Sequence, residues 1–255
     1  MSNGVLQVGC GVAFVVGAAL LAHRLELGLS REILLAAARA IVQLAAVGAL
    51  IALVFEIDVL AIAFVAGMVA TAAITSGGRI RPVPNARARA IAAIGVPAVG
   101  AAGILIAVGA FDATPRAAIP TAGILIGGAM TATTLTGRRL LEGLHADEDE
   151  IEARLSLGDR IRDALAPTVR RAIKTGLVPA IDQTRNVGIV TLPGTFVGLV
   201  LGGASPAEAA RVQLTVLLTL LAVELLSATA IAELIVRTRI APGERLREDV
   251  SDVRR

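Results

Sequence analysis

The chain has 255 residues, of which 55% are hydrophobic and 18% are charged. Its mean hydropathy of +0.77 excludes a soluble domain of this size, because too few polar side chains are present to cover a surface exposed to water. The net charge of +3 favours anionic lipid headgroups, rather than nucleic acid, as the partner of the basic residues.

Seven apolar stretches are long enough, or nearly long enough, to cross a bilayer as helices. They cover residues 5–22, 33–55, 59–75, 91–111, 117–136, 187–203 and 212–236. Their many Ala and Gly residues suit close packing of helices in lipid. The sequence therefore predicts an all-α fold: a polytopic transmembrane helix bundle of about seven spans, forming one domain over 1–255 in the plasma membrane.

Positive charge predicts the orientation of these spans. All but four of the 24 Lys and Arg residues lie in the loops after spans one, three and five or in the C-terminal tail. Cytoplasmic loops carry the basic excess in membrane proteins. We therefore expect the N-terminus outside, and the insert at 137–176 and the basic tail at 237–255 in the cytoplasm.

The insert is the most polar part of the chain. Four carboxylates at 147–150 precede apolar residues that recur mostly four apart, which is typical of a helix with an acidic first turn. Gly158 and Pro167 interrupt this pattern, so two or three short helices are expected rather than one rod. Helices lying on anionic lipid and helices that dock another protein both fit this periodicity.

Polar residues within the apolar stretches mark a candidate substrate path. Arg39 lies near the inner end of the second span, Gln43 follows one turn later, and Glu224 lies midway along the last span. Charges at such depth are costly and usually face a cavity or a partner. Alternatively, Arg39 reaches the interface by snorkelling and Glu224 only holds helices together.

The region around the sixth predicted span adds four candidates for the same path. Asp182 and Arg185 precede this span, where they can pair across one helical turn or close a gate. Pro193 and Gly194 lie within it. Proline frees a backbone carbonyl, and a broken helix can expose such groups at a transport site, although a plain kink is the alternative.

Ligands for soft metals are sparse, and the identity of any metal is unknown. The Met residues are Met1, Met68 and Met130, the two His lie in loops, and the single Cys is isolated. Soft metals prefer sulfur ligands. Any cation site would therefore be rich in oxygen and draw on Asp182, Glu224 and backbone carbonyls.

The chain resembles ABC transporter permeases in a short motif of the insert and in longer stretches around it. The stretch "EARLSLG" at 152–158 resembles the start of the EAA-type motif, with Glu152, Ala153 and Gly158 at matching positions. Further matches resemble FetB-type permeases in order and spacing over roughly 31–236. They are "ARAIVQLAAVG" (38–48), "AIPTAGILIGGAM" (118–130) and "LVPAIDQTRNVGIVTLPGTFVGLVLGGASPAEAARVQL" (177–214).

FetB-type permeases are small membrane subunits of ABC exporters linked to iron efflux, with plant relatives linked to aluminium tolerance. The resemblance implies a permease that exports an iron-like metal ion or a related small solute, and not an enzyme. Relatives with assigned metal efflux tend to carry a Met pair and an Asn in two of these motifs. This chain instead has Thr195 and Phe196 at the Met positions and Gly128 at the Asn position.

The resemblance also implies the partners. In ABC permeases the EAA-type motif forms a coupling helix that sits in a groove of the ATPase. Glu152, Ala153, Leu157 and Gly158 are therefore expected to contact a cytoplasmic ABC ATPase subunit. The chain contains no G-x-x-x-x-G-K-[ST] phosphate loop, so we expect ATP and Mg²⁺ on that partner and no cofactor here. Seven spans are few for a complete pathway, so a homodimer is expected.

Three other classes of protein compete with this interpretation. A secondary transporter or channel would move its substrate without an ATPase, driven by an ion gradient. An ABC permease for a non-metal solute, such as a sugar nucleotide, would share the same architecture. A membrane-embedded enzyme would need a convergent set of catalytic groups, and the outer side offers little beyond Asp112 and Glu56.

Overall fold

The computed structural model describes residues 2–241 and 245–246. Its helices are α1 (Ser2–Arg24), α2 (Ser30–Glu56), α3 (Asp58–Arg79), α4 (Ala86–Ala107), α5 (Pro115–Ala146), α6 (Glu148–Ser156), α7 (Ile161–Asn186), α8 (Gly194–Leu201) and α9 (Pro206–Arg239). Strands β1 (Ile240–Ala241) and β2 (Arg245–Leu246) form one short antiparallel pair. The predicted all-α class is confirmed, whereas most of the predicted tail at 237–255 lies outside the described residues.

Six helices of the described chain are long and apolar enough to cross a membrane, namely α1 from Leu6 onward, α2, α3, α4, α5 and α9. They correspond to predicted spans one to five and seven. α5 and α9 contain 32 and 34 residues. At about 1.5 Å per residue each is roughly 50 Å long, well beyond the hydrocarbon layer of about 30 Å. Both helices therefore extend past the lipid at one or both ends.

The sequence specifies where these two long helices begin. Pro115 is the first residue of α5, where its missing N–H costs no intrahelical hydrogen bond. Pro206 opens α9 in the same way, and the Ser205 hydroxyl accepts a hydrogen bond from the Glu208 backbone N–H at 3.2 Å. A proline thus marks the N-terminal end of α5 and of α9, and Ser205 adds a hydrogen bond at the start of α9.

The predicted sixth span at 187–203 is not one helix, and that prediction is wrong. After α7 ends, Gly188 takes a left-handed conformation with φ of 82°, and a β-bridge joins Val187 to Thr191. Pro193 then forms the N-cap of α8, and Gly194 is its first residue, so the proline does not kink a continuous span. α8 has eight residues, too few to cross a bilayer alone.

The insert forms two helices. α6 ends at Ser156, and Gly158, with φ of 97°, turns the chain towards α7, so the predicted break at Gly158 is confirmed. The predicted break at Pro167 is wrong, because the 26-residue helix α7 continues through it. Proline removes only one intrahelical hydrogen bond there, while Leu165 beside it stays buried in an apolar cluster. α7 therefore runs without interruption from the insert to Asn186.

Two compact units make up the chain, residues 1–60 and 61–255. In the first, α1 and α2 pack against each other, and most of their apolar side chains are exposed. Such surfaces are typical of helices that face lipid. In the second unit, α5 is central and packs against α4, α7 and α9. Its core consists of small and branched apolar side chains, including Ile94, Leu125 and Val223.

Close contacts at glycines define how α5, α7 and α9 run. Gly143 of α5 meets Thr168 of α7, and Gly176 of α7 meets Thr136 of α5, so these two helices are antiparallel. Gly128 and Gly137 of α5 meet residues 224 and 235 of α9 respectively, so α5 and α9 are parallel. α7 thus extends from the insert along α5 as far as the level of Gly128.

Replacing Gly176 by alanine is expected to destabilise the protein by about 1–3 kcal/mol through overpacking. The added methyl group would collide with the Thr136 hydroxyl and lie only 3.0 Å from the Thr136 backbone nitrogen. The matched control is Gly103→Ala in α4, where nothing lies within 4 Å. Thermal unfolding in detergent should show a lowered Tm for the first variant and no loss for the second, and equal Tm values would contradict the observed helix crossing.

Candidate functional site

A cavity of about 290 Å³ lies between α5, α7 and α9. Its walls are residues between 123 and 132 of α5, residues between 176 and 183 of α7, and Leu220 and Glu224 of α9. Three glycines of α5 contribute to it, because they leave room that side chains would fill. The cavity therefore depends on the small residues of α5 and on Gly176 and Ala180 of α7.

Glu224 is the one charged residue among the described residues that line this cavity. Its residue surface is only 7% exposed. Within the described part of the chain it forms no ion pair, and burial is not offset by any hydrogen bond to its carboxylate. A carboxylate in such surroundings is costly unless a cation or a proton joins it. Glu224 therefore makes the cavity a candidate binding site.

Because Gly128 has no side chain, it leaves room for the carboxylate of Glu224. A Cβ atom at Gly128 would lie 2.6 Å from Glu224 Oε1 and would also collide with Leu220. Neutral polar groups complete the wall: Gln183 is exposed at the rim, and the Thr131 hydroxyl donates a hydrogen bond of 3.1 Å to the Gly127 carbonyl. The site thus offers one carboxylate and several uncharged oxygens.

Buried hydroxyls continue from the cavity towards the insert. Ser227 follows Glu224 by one turn of α9, and Thr133 and Thr136 follow Gly128 on α5. All three are fully buried, and their oxygens have no hydrogen-bond partner among the described residues. Thr134 beside them donates to Ser76 of α3 at 3.0 Å. Unpartnered hydroxyls in a membrane bundle can bind water or a passing solute.

The residues that line this cavity do not include Asp182, Arg185, Pro193 or Gly194. Asp182 and Arg185 are exposed near the end of α7 and form no ion pair with each other within the described chain. Arg39 and Gln43 are exposed on α2, in the first compact unit. Their predicted place in the substrate path stays a prediction.

The four predicted coupling residues lie together at the tip of the insert. Glu152 and Ala153 are exposed on α6, and Leu157 and Gly158 are exposed in the turn between α6 and α7. Leu157 is 87% exposed, an unusual position for a large apolar side chain. In contrast, Ile151 on the opposite face of α6 is buried against α7 and α9. We call residues 152–158 the docking tip.

One carboxylate joins the insert to the end of α5. Asp147 accepts hydrogen bonds from the Thr168 hydroxyl at 2.5 Å and from Arg171 at 3.0 Å, both on α7. The hydrogen bond from Thr168, followed by Arg171, lowers the pKa of Asp147 below its ordinary value. The ionised carboxylate thus fixes the start of α6 against α7.

A second carboxylate joins the insert to α9. Arg162 donates two hydrogen bonds to Glu233, at 2.8 and 3.0 Å, and Arg237 donates a third at 2.8 Å. Bidentate pairs of this kind add geometric specificity. No local sequence pattern indicates this pair, since 71 residues separate Glu233 from Arg162. α7 is therefore tied to both of its long neighbours near the insert.

Replacing Asp147 by asparagine is expected to lower stability by about 1 kcal/mol, because Arg171 loses its charged partner while remaining largely exposed. A lowered folded-state pKa contributes stability that is complete above the ordinary value of 3.8 and is lost as pH falls below it. Thermal unfolding at pH 7 should therefore separate Asp147→Asn from the parent protein. The control is Asp112→Asn, an exposed carboxylate in the loop between α4 and α5, for which Tm should not change.

Glu224 was found from sequence by its depth in an apolar stretch, whereas Gly128, Gly176, Thr131 and Gln183 were not identified as parts of one cavity. Their proximity depends on the crossing of α5 with α7, which no local pattern reveals. No group of three or more His, Cys, Asp or Glu residues with the geometry of a metal site occurs in the described chain.

Comparison with known proteins places this architecture in a family. Residues 5–240 match the family described as "Uncharacterised protein family (UPF0014)". The rice protein "UPF0014 membrane protein STAR2" is 38% identical over 218 residues, which cover 84% of this chain and 76% of the relative. The "Protein ALUMINUM SENSITIVE 3" of Arabidopsis thaliana is 32% identical, with 84% and 80% covered.

A bacterial relative has a functional name. "Probable iron export permease protein FetB" of Escherichia coli strain K12 is 32% identical over 223 residues, which cover 87% of this chain and 86% of the relative. No solved structure matches the chain. The expected resemblance to FetB-type proteins is therefore confirmed, and the chain is a multi-pass membrane protein that belongs to the UPF0014 family.

Proposed function

We propose that this chain is the membrane subunit of an ATP-driven ABC exporter whose ATPase is a separate cytoplasmic protein. The observation that supports it best is the continuity of α7, which begins next to the docking tip and ends beside the Glu224 cavity. A force applied at the insert is thereby delivered to the helix that forms one wall of the cavity.

The two carboxylate contacts make this transmission direct. Asp147 and Glu233 tie α7 to α5 and α9, so a displacement of the docking tip moves three helices and not a flexible loop. ATP binding would draw the two ATPase subunits together and favour one of two arrangements of these helices. In one arrangement the cavity opens to the cytoplasm, and in the other it opens to the outside.

The proposal requires the predicted topology of the chain in the membrane. With the N-terminus outside, the insert and the basic residues of 138–174 lie in the cytoplasm, where the positive-inside rule puts them. α7 then rises from the cytoplasm alongside α5, and α8 follows at its far end. Two copies of the chain, each contributing α5, α7 and α9, would form the complete pathway.

The chemistry of the cavity narrows the cargo. A sugar nucleotide carries negative charge, and the only charged group among the described lining residues is the Glu224 carboxylate, so this class of cargo is disfavoured. A cation or a neutral solute fits. The name of the FetB relative states iron export for that protein, and the cargo proposed for this chain is a cation, either an iron-like ion or another small cationic solute.

Reconstitution tests the proposal. The chain is coexpressed with a candidate cytoplasmic ABC ATPase, and vesicles are prepared with the complex and with the chain alone. We expect cargo movement and cargo-stimulated ATP hydrolysis only in vesicles that contain both proteins. Movement by the chain alone, driven by an ion gradient, would contradict the proposal and identify a secondary transporter or channel.

A further inference from the structure

We propose that the Glu224 cavity binds a small organic cation with a protonated primary or secondary amine, rather than a bare metal ion. This inference rests on the proposed function only in taking the cavity as the cargo site. It is carried by the charge of the cavity, its donor set, its volume and its wall chemistry.

The charge of the cavity favours a cation that carries a single positive charge. Glu224 is 7% exposed and has no basic partner in the described chain. An unpaired carboxylate at membrane depth binds a compensating positive charge when one is available. One carboxylate balances one unit of charge, whereas a divalent or trivalent ion would retain an excess charge in an apolar bundle.

The side chains that line the cavity offer few ligands for a metal ion. Protein sites for hard metal ions combine several oxygen ligands, usually including more than one carboxylate, and soft metals require sulfur or imidazole. The cavity of the described chain supplies one carboxylate, one amide side chain and one threonine hydroxyl, with no sulfur or imidazole. The Thr131 hydroxyl is already directed to the Gly127 carbonyl. Within one copy of the chain, this donor set is too poor for a dehydrated metal ion.

The volume of the cavity suits a small molecule. The cavity measures about 290 Å³, close to the lower limit of about 300 Å³ for small-molecule pockets. A single water molecule takes about 30 Å³ of liquid volume, so the cavity has room for an organic body of several carbon atoms as well as water molecules.

The walls specify which organic cation fits. Ile124, Leu220, Pro179 and Ala180 offer apolar contact to a carbon skeleton. No aromatic ring lies among the described lining residues, and such rings are what recognise quaternary ammonium groups. A nitrogen that carries N–H groups can instead donate charge-assisted hydrogen bonds to the Glu224 carboxylate.

Binding to the purified full-length chain in lipid nanodiscs tests this inference. Titration calorimetry with n-butylammonium chloride should detect binding, and n-butanol and tetramethylammonium chloride should each bind about tenfold more weakly or not at all. These two compounds separately remove the charge and the N–H donors. Because the probes are compared on the unmodified chain, the test does not depend on any variant folding correctly.

Variants then locate the site. Glu224→Gln should weaken n-butylammonium binding about tenfold or more, whereas Glu208→Gln, an exposed carboxylate on the same helix, should leave it unchanged. Glu224→Asp should retain a preference for the ammonium over butanol. Equal binding to Glu224→Gln, or binding of Fe²⁺ or Mg²⁺ that needs Glu224 while n-butylammonium does not bind, would overturn the inference. No ATPase is present, so this failure is distinct from a failure of ATP coupling.

Discussion

Replacing Leu157 by aspartate is expected to release the ATPase subunit from the membrane complex. Leu157 is 87% exposed at the docking tip, and burial of a leucine side chain in a partner's groove contributes about 2 kcal/mol. Losing this contribution weakens binding about 30-fold, and burying a carboxylate weakens it further. The measurement is copurification of the ATPase through an affinity tag on this chain.

Leu27 provides the matched control for that experiment. It is 55% exposed in the turn between α1 and α2, so Leu27→Asp makes the same chemical change away from the docking tip. We expect the ATPase to copurify with this variant as it does with the parent chain. Loss of the ATPase from both variants would mean that the effect is not specific to the insert.

Replacing Glu224 by glutamine is expected to abolish stimulation of ATP hydrolysis by the cargo while hydrolysis without cargo continues. Glutamine has the same shape but lacks the charge that a cationic cargo needs in an apolar cavity. We expect at least about a tenfold loss of apparent affinity for the cargo. The measurement is the cargo dependence of ATP hydrolysis by the reconstituted complex.

Glu208→Gln serves as the control here as well, because Glu208 lies on α9 but is exposed. It should leave cargo stimulation intact. A Glu224→Gln complex that responds to cargo like the parent would remove Glu224 from the proposed pathway, although it would leave the docking of the ATPase unaffected.

Sequence reasoning was most successful where composition alone decides the structure. α1 to α5 and α9 coincide with predicted spans because long apolar runs have few alternatives to a membrane helix. The turn at Gly158 was also predictable, since glycine readily adopts positive φ. The depth of Glu224 within an apolar stretch was visible in the same way.

The region between α5 and α9 could not be predicted in detail. α7 mixes charged and apolar residues and contains Pro167 and Pro179, which locally argue against one continuous helix. What stabilises it is tertiary packing on α5 and α9, together with Asp147 and Glu233. Conversely, the apolar residues of 187–203 looked like a span, but Gly188 and Pro193 divide them.

The insert is connected to the cavity through α7. It is not a separate module between two spans, because its second helix is also a wall of the cavity. The glycine contacts at Gly143 and Gly176 let α7 approach α5 closely along much of this length. The proposed docking tip thus directly precedes the helix that lines the cavity, and this continuity is the physical basis of the proposed coupling.

The most direct test of this account is the side of the membrane on which the docking tip lies. Ser156, which is exposed at the end of α6, is changed to cysteine in a Cys10→Ser background, because Cys10 is exposed as well. A membrane-impermeant maleimide is then applied to intact and to permeabilised cells. We expect the maleimide to label the docking tip only after permeabilisation. Labelling of intact cells would put the insert outside, where no cytoplasmic ATPase can reach it, and would contradict the account.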